Sequence, residues 1–173
     1  MTDVEEFLVA RGAEEMPHPG GTLLAHLCRT RDMLASWGAR PALCLAGLAH
    51  AAYGTDGFPQ GLVEVAARPT LVEVIGPEAE EIVYRYGSCD RGFSYPRLHN
   101  GGPMRDRFTG AEISPDGRQV RDFVELTVAS ELDVLTHNDD LRAEHGAGLR
   151  GLFTAWRPYA SGPAIAAVTE FFG

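Results

Sequence analysis

The chain has 173 residues, of which 45% are hydrophobic, and this is enough for a single domain with a substantial core over residues 1–173. Twenty-four acidic residues outnumber fifteen arginines, lysine is absent, and the resulting net charge of −9 argues against nucleic acid or an anionic membrane as a partner. The three cysteines have no paired spacing, which argues against a disulfide framework or a zinc ribbon.

The N-terminal residues 1–6 are acidic where a signal peptide is basic, and no apolar run in the sequence is long enough to span a bilayer. We therefore expect a cytoplasmic protein without a membrane partner.

The first part of the chain alternates helical patterns with residues that break helices. A capped helix is predicted from about residue 2 to Gly12. Residues 16–21 include two prolines and two glycines, which predicts an irregular loop that carries His18. Apolar residues then recur at helical spacing over residues 22–37, so a second helix is expected there.

The next helix is predicted to be the centre of the protein. Pro41 suits its first position, and residues 43–49 leave no polar face. His50 follows this apolar run and is therefore expected to be buried, where each ring nitrogen needs a partner. The glycine-containing turn at 54–57 would place the imidazole at the floor of a cleft.

The remaining chain is read as mostly helical, with one long loop at 88–119 and a small hairpin near 113–117. Helical segments are predicted at residues 61–67, 69–75, 77–86, 120–137, 148–156 and 163–172. The predicted fold class is all-α.

Three separated features together resemble the HD-domain superfamily. His26 lies on one helix, His50 follows twenty-four positions later at the end of a buried helix, and a helical Ala-Ser-Glu-Leu-Asp-Val-Leu segment occupies 129–135. The sequence His50-x-x-Tyr53-Gly-Thr is similar to that of a small group of bacterial HD-like proteins. The resemblance covers roughly residues 17–135 and implies an HD-like helical bundle around one or two metal ions.

The chain departs from the HD pattern at two carboxylates. Ala51 follows His50 where the family has its metal-bridging Asp, and Ser130 follows Ala129 where the family has its last Asp. Ordinary HD phosphohydrolase activity is therefore not expected, because two imidazoles alone hold such an ion weakly.

The resemblance still implies iron or another divalent metal as the cofactor, as in HD-like oxygenases. The metal ligands would be His26, His50 and Glu131, since Glu131 lies in an apolar stripe and needs a compensating partner. A structural reading of His26, as a core histidine bonded to a carbonyl, is the alternative.

Four residues form the predicted catalytic set: His18, His50, Tyr53 and Asp56. The loop with His18 can fold over the mouth of the cleft, and Tyr53 or Asp56 can serve as acid, base or hydrogen-bond anchor. Turn formation is an equally good explanation for Asp56.

The sequence thus predicts an enzyme that acts on a small molecule in a histidine-lined cleft. The reaction would be an oxidation, a lyase or isomerase reaction, or a hydrolysis, with either one weakly held metal or metal-free acid–base chemistry by histidine. The alternative is a ligand-binding or regulatory protein that has lost catalysis. The partner is expected to be a small-molecule ligand or substrate, and the sequence allows a homodimer.

Overall fold

The computed structural model describes residues 1–173 and confirms the all-α prediction. The nine α-helices are α1 (Asp3–Val9), α2 (Leu23–Ser36), α3 (Pro41–Ala49), α4 (Arg68–Ile75), α5 (Pro77–Gly87), α6 (Arg91–Ser94), α7 (Gly117–Thr136), α8 (Asp139–Trp156) and α9 (Gly162–Phe172). No helix combines the length and the apolar character that a membrane span requires.

The β structure consists of two short antiparallel hairpins. Strand β1 (Pro17–His18) pairs with β2 (Gly21–Thr22), and β3 (Met104–Arg105) pairs with β4 (Glu112–Ile113). Short 3-10 helices occupy Val65–Ala67, Tyr95–Asn100 and Arg157–Tyr159. The first hairpin gives a defined geometry to the segment that was predicted to be an irregular loop.

Helix α7 lies at the centre of the bundle, where it packs against α2, α3, α5, α8 and α9. Buried side chains on α7 point in nearly every direction, from Val120 to Leu135, so the helix is surrounded by other elements. The sequence predicted this central position for α3, which is also buried but is shorter. Helix α7 therefore lies next to most of the elements among which a site can be built.

Helix capping explains two boundaries that hydrophobic periodicity placed too late. Asp116 forms a capping box with Gln119, so α7 begins at Gly117 and not at residue 120. Asn138 accepts a hydrogen bond from the backbone N–H of Leu141, so α8 begins nine residues earlier than the predicted residue 148.

The predicted long loop at 88–119 is largely ordered. It contains α6, a 3-10 helix and the hairpin of β3 and β4. The predicted hairpin at 113–117 is wrong in position, because the residues after Ile113 lead into the cap of α7. The true hairpin lies between Met104 and Ile113.

A close approach between α5 and the turn after α3 generates a stability prediction. A Cβ atom on Gly87 would lie 2.9 Å from the carbonyl oxygen of Gly54 and 3.3 Å from Cβ of Tyr53. We expect Gly87→Ala to lower the free energy of unfolding by about 1–3 kcal/mol, because the backbone must move. Urea unfolding measures this change.

Gly151→Ala is the matched control. A Cβ at Gly151, in the interior of α8, would meet no atom within 4 Å, so this variant should gain about 0.5–1 kcal/mol from helix propensity. Equal effects of the two substitutions would contradict the close contact at Gly87.

Candidate functional site

A cavity of about 660 Å³ lies beside α7, which is within the range of small-molecule binding sites. Its walls come from the β1 segment, the ends of α2 and α3, the turn at 55–58, and parts of α5, α6, α7 and α8. The polar residues that line it are His18, His26, His50, Thr55, Tyr86, Arg91, Tyr95, Ser130, Glu131, Glu144 and His145. Apolar residues of α7 and α8 complete the lining, so the cavity has both a polar and an apolar part.

Two buried histidines meet at the floor of this cavity. The Nε2 atoms of His26 and His50 are 3.1 Å apart, and the two residues are 1% and 2% exposed. The Nδ1 atom of His26 lies 2.6 Å from Oδ2 of Asp133, and Nδ1 of His50 lies 2.7 Å from the carbonyl oxygen of Gly47. The spacing that suggested this pairing in the sequence therefore corresponds to a direct contact.

The partners of the two rings determine where their protons lie. A carbonyl oxygen and an ionised carboxylate only accept hydrogen bonds, so the Nδ1 atoms of both His26 and His50 must donate. Two neutral rings would then direct bare Nε2 lone pairs at each other across 3.1 Å. This contact becomes favourable when one Nε2 carries a proton or when a cation lies between the rings.

Asp133 fixes the orientation of the His26 ring through Nδ1, on the side opposite His50. It accepts hydrogen bonds from Arg29 Nε at 2.6 Å and Nη2 at 3.0 Å as well as from His26. Burial alone would raise the pKa of Asp133, but the hydrogen bonds from His26 and Arg29 prevail and lower it to about 2. The carboxylate is therefore ionised at neutral pH.

Asp133 was not among the predicted site residues. Its position three residues after Ser130 puts both side chains on one face of α7, and this spacing was the available signal. The sequence could not show that its partner is His26, which lies 107 residues away.

Ser130 completes the group at the cavity floor. Its Oγ atom lies 3.4 Å from Nε2 of His26 and 3.3 Å from Nε2 of His50. The hydroxyl contributes hydrogen-bonding capacity without negative charge, at a position where the resemblance to the HD-domain superfamily would imply a carboxylate.

The donor set at this floor does not fit the metal of the HD pattern. Glu131 lies on the cavity wall, but Arg91 Nη1 donates to its Oε1 at 3.2 Å, and no three His, Cys, Asp or Glu side chains are grouped so that they could hold a metal ion. The predicted set of His26, His50 and Glu131 is thus not assembled. Two imidazoles and a hydroxyl would leave a divalent ion without charge compensation.

His18, which was predicted to lie on a loop over the mouth of the cleft, belongs to the lining of the cavity. Its ring stacks on His26 at a centroid distance of 4.1 Å and contacts the edge of Phe58 at 5.4 Å. Its Nδ1 atom is buried without a hydrogen-bond partner. Burial, reinforced by His26, lowers the pKa of His18 to about 4 and that of His50 to about 3, so both rings are neutral at pH 7.

Tyr53 and Asp56, the other two predicted catalytic residues, lie outside the cavity lining. The Tyr53 hydroxyl donates to Oε1 of Glu80 at 2.6 Å, and Arg68 binds the same carboxylate. Asp56 accepts a hydrogen bond from the backbone N–H of Arg91 at 2.9 Å. Both residues therefore support the structure around the site instead of facing a ligand.

The buried carboxylate of Asp133 generates a stability prediction. Asp133→Asn leaves Arg29 and His26 without their anionic partner, and loss of one member of a buried pair costs about 3–5 kcal/mol. We expect the lower end of this range, since the Arg29 side chain is 29% exposed and can turn toward water. Denaturant unfolding gives the value, and Glu144→Gln, at a side chain that is 71% exposed, should change stability by less than about 0.5 kcal/mol.

The two neutral histidines generate a pH prediction. In the unfolded chain a histidine takes up a proton near its ordinary pKa of 6.5, whereas folded His18 does so only near 4 and His50 near 3. Their contribution to stability is thus complete above pH 6.5 and is lost as the pH falls toward 4. His18→Gln should make the decline of unfolding free energy between pH 6.5 and 4 shallower, whereas the exposed His145→Gln should not. Parallel curves for wild type and His18→Gln would contradict the assignment.

Comparisons with known proteins give one partial match. The model of a family described as a domain of unknown function, DUF6817, matches residues 7–91, a segment that includes the two paired histidines and ends at Arg91. No curated protein and no solved structure matches the chain. The chain is therefore similar to this family over the segment that contributes His18, His26, His50 and Arg91 to the cavity. Helix α7, with Ser130 and Asp133, lies beyond the matched segment.

Proposed function

We propose that the protein is a small-molecule enzyme in which Asp133, His26 and His50 carry out general acid–base catalysis without a metal. The observation that supports this most directly is the 3.1 Å distance between the two Nε2 atoms while both Nδ1 atoms are committed to acceptors. A proton on Nε2 of His26 relieves the repulsion between the lone pairs. The ionised Asp133 and its hydrogen bond then stabilise the His26 imidazolium.

The two histidines have distinct roles in this proposal. His26 is the proton donor, because it alone faces a carboxylate. His50 is the acceptor, because its bond to Gly47 leaves Nε2 as the free lone pair and burial keeps the ring neutral. A substrate that receives a proton from His26 and gives one up to Nε2 of His50 leaves the number of protons on the pair unchanged. Transfer of that proton from His50 to His26 then restores the starting state.

Ser130 connects the pair to the cavity. Its hydroxyl can accept the proton of His26 Nε2 while it passes its own proton to a substrate atom, so Ser130 stays neutral and His26 waits for a proton from His50. Proton transfer of this kind supports isomerisation, elimination or hydrolysis and requires no change of oxidation state. The rival function, a binding or regulatory protein, would use the same cavity without turnover.

Imidazole NMR tests the shared proton. In protein with ¹⁵N-labelled histidine at neutral pH, we expect both His26 nitrogens to be protonated and one strongly deshielded N–H proton between the rings. His50→Asn should remove that resonance, and His145→Gln should leave it. If stoichiometric Zn(II), Fe(II) or Mn(II) raises the melting temperature and abolishes the resonance, a cation occupies the position and the proposal fails.

Proton exchange tests catalysis. A panel of small organic compounds in D₂O, analysed by mass spectrometry, should reveal a compound whose exchange or conversion is accelerated by the protein. For that compound, His26→Asn should lower kcat by roughly 10²–10⁴-fold, the usual contribution of a general acid or base. Unchanged turnover in His26→Asn would contradict the assigned role, and bound compounds with no turnover would favour the binding protein.

A further inference from the structure

Arg91 presents unused hydrogen-bond donors inside the cavity. Asp56 holds its backbone, and a Cβ atom on Gly57 would lie 2.8 Å from Nη1, so the guanidinium occupies space that the glycine leaves open. The side chain is 25% exposed and makes a single hydrogen bond, to Glu131 at 3.2 Å. Because a guanidinium has five N–H donors, most of this donor capacity remains available to a ligand.

Tyr95 adds a second unused donor next to Arg91. Tyr95 belongs to the cavity lining, its hydroxyl is buried without a hydrogen-bond partner, and its ring centroid is 5.7 Å from Cζ of Arg91. An unpaired buried hydroxyl is costly, so a ligand atom that accepts its hydrogen bond would gain affinity. Burial raises the pKa of Tyr95 well above 10, so the phenol keeps its proton and donates.

The apolar lining of the cavity indicates what kind of anion could bind beside Arg91. Apolar side chains of Phe58, Val134, Leu149 and Leu152 share the lining with Arg91. Free inorganic ions gain nothing from such walls, whereas an organic anion can bury carbon against them.

We propose that Arg91 and Tyr95 bind the carboxylate or phosphate group of a small organic anion whose apolar part packs against the α7 and α8 walls. This inference rests on the proposed function for its catalytic meaning, since it assigns the substrate class of the same cavity. Glu131 accepts one hydrogen bond from the guanidinium, and the other N–H groups are left to bind the ligand. A carboxylate or a phosphate accepts two such N–H groups side by side, which a neutral ligand does not match in strength.

Matched aryl probes test the charge requirement. Benzoate and phenyl phosphate at millimolar concentration should raise the melting temperature and bind by calorimetry, whereas benzyl alcohol and benzylamine should bind at least several-fold more weakly. The stronger of the two anions identifies whether the natural group is a carboxylate or a phosphate. Equal binding of benzoate and benzyl alcohol, or no binding of either anion, would overturn the proposal.

Variants test the two donors while avoiding an unpaired buried charge. The double variant Arg91→Gln with Glu131→Gln should weaken binding of the better anion at least tenfold, because a hydrogen bond to a charged group is worth about 1.5–3 kcal/mol. Glu131→Gln alone should bind it as well as wild type or more tightly, since a competing negative charge is removed. Tyr95→Phe should weaken it several-fold, and the exposed Arg97→Gln, outside the cavity, should have no effect. Wild-type affinity in the double variant would contradict the assignment.

The two proposals can fail separately. His26→Asn should still bind the anion through Arg91, because His26 contacts His50 whereas Arg91 contacts Glu131, and the two side chains share no hydrogen bond. If the anion binds but the deshielded proton is absent, the acid–base function fails and the anion site stands. If the proton is present but anions do not bind, the substrate class fails alone.

Discussion

The buried carboxylate of Asp133 is the constraint on which the site depends. An ionised group at this depth requires strong partners, and Arg29 and His26 provide them from α2. The same contacts hold α2 against α7 and set the direction of the His26 ring. His50 then needs only a carbonyl of its own helix to bring the two Nε2 atoms together. The hydrogen bonds to Asp133 therefore determine both the orientation of the histidines at the cavity floor and the packing of α2 against α7.

The position of negative charge in this site differs from the position that a resemblance to the HD-domain superfamily would imply. The resemblance would imply carboxylates directly after His50 and directly after Ala129. Ala51 and Ser130 occupy these two positions, and the carboxylate of Asp133 instead accepts a hydrogen bond from Nδ1 of His26. Negative charge in that position fixes the tautomer of His26, raises the basicity of its Nε2 atom and stabilises the imidazolium form, which is the physical basis of the proposed proton chemistry.

The sequence predicted what depends on local patterns and missed what depends on distant contacts. Helical periodicity located the main helices, and the spacing of His26 and His50 predicted their approach. The direction of Tyr53 could not be predicted, because its partner Glu80 belongs to another helix. The ordered structure of residues 88–119 depends on backbone contacts between distant residues, such as the β-bridge between Cys89 and Asp106. No local sequence pattern predicts such a contact.

The double restraint of Arg91 has a consequence for molecular recognition. Asp56 fixes its main chain, and its guanidinium lies in the space left open by Gly57 and donates to Glu131, so the side chain loses rotational freedom when the protein folds. When a ligand binds this group, the entropy that is lost comes from the ligand and not from the Arg91 side chain. Selection among chemically similar anions would then fall on molecular shape and on residence time, because the charged anchor itself is in place before the encounter.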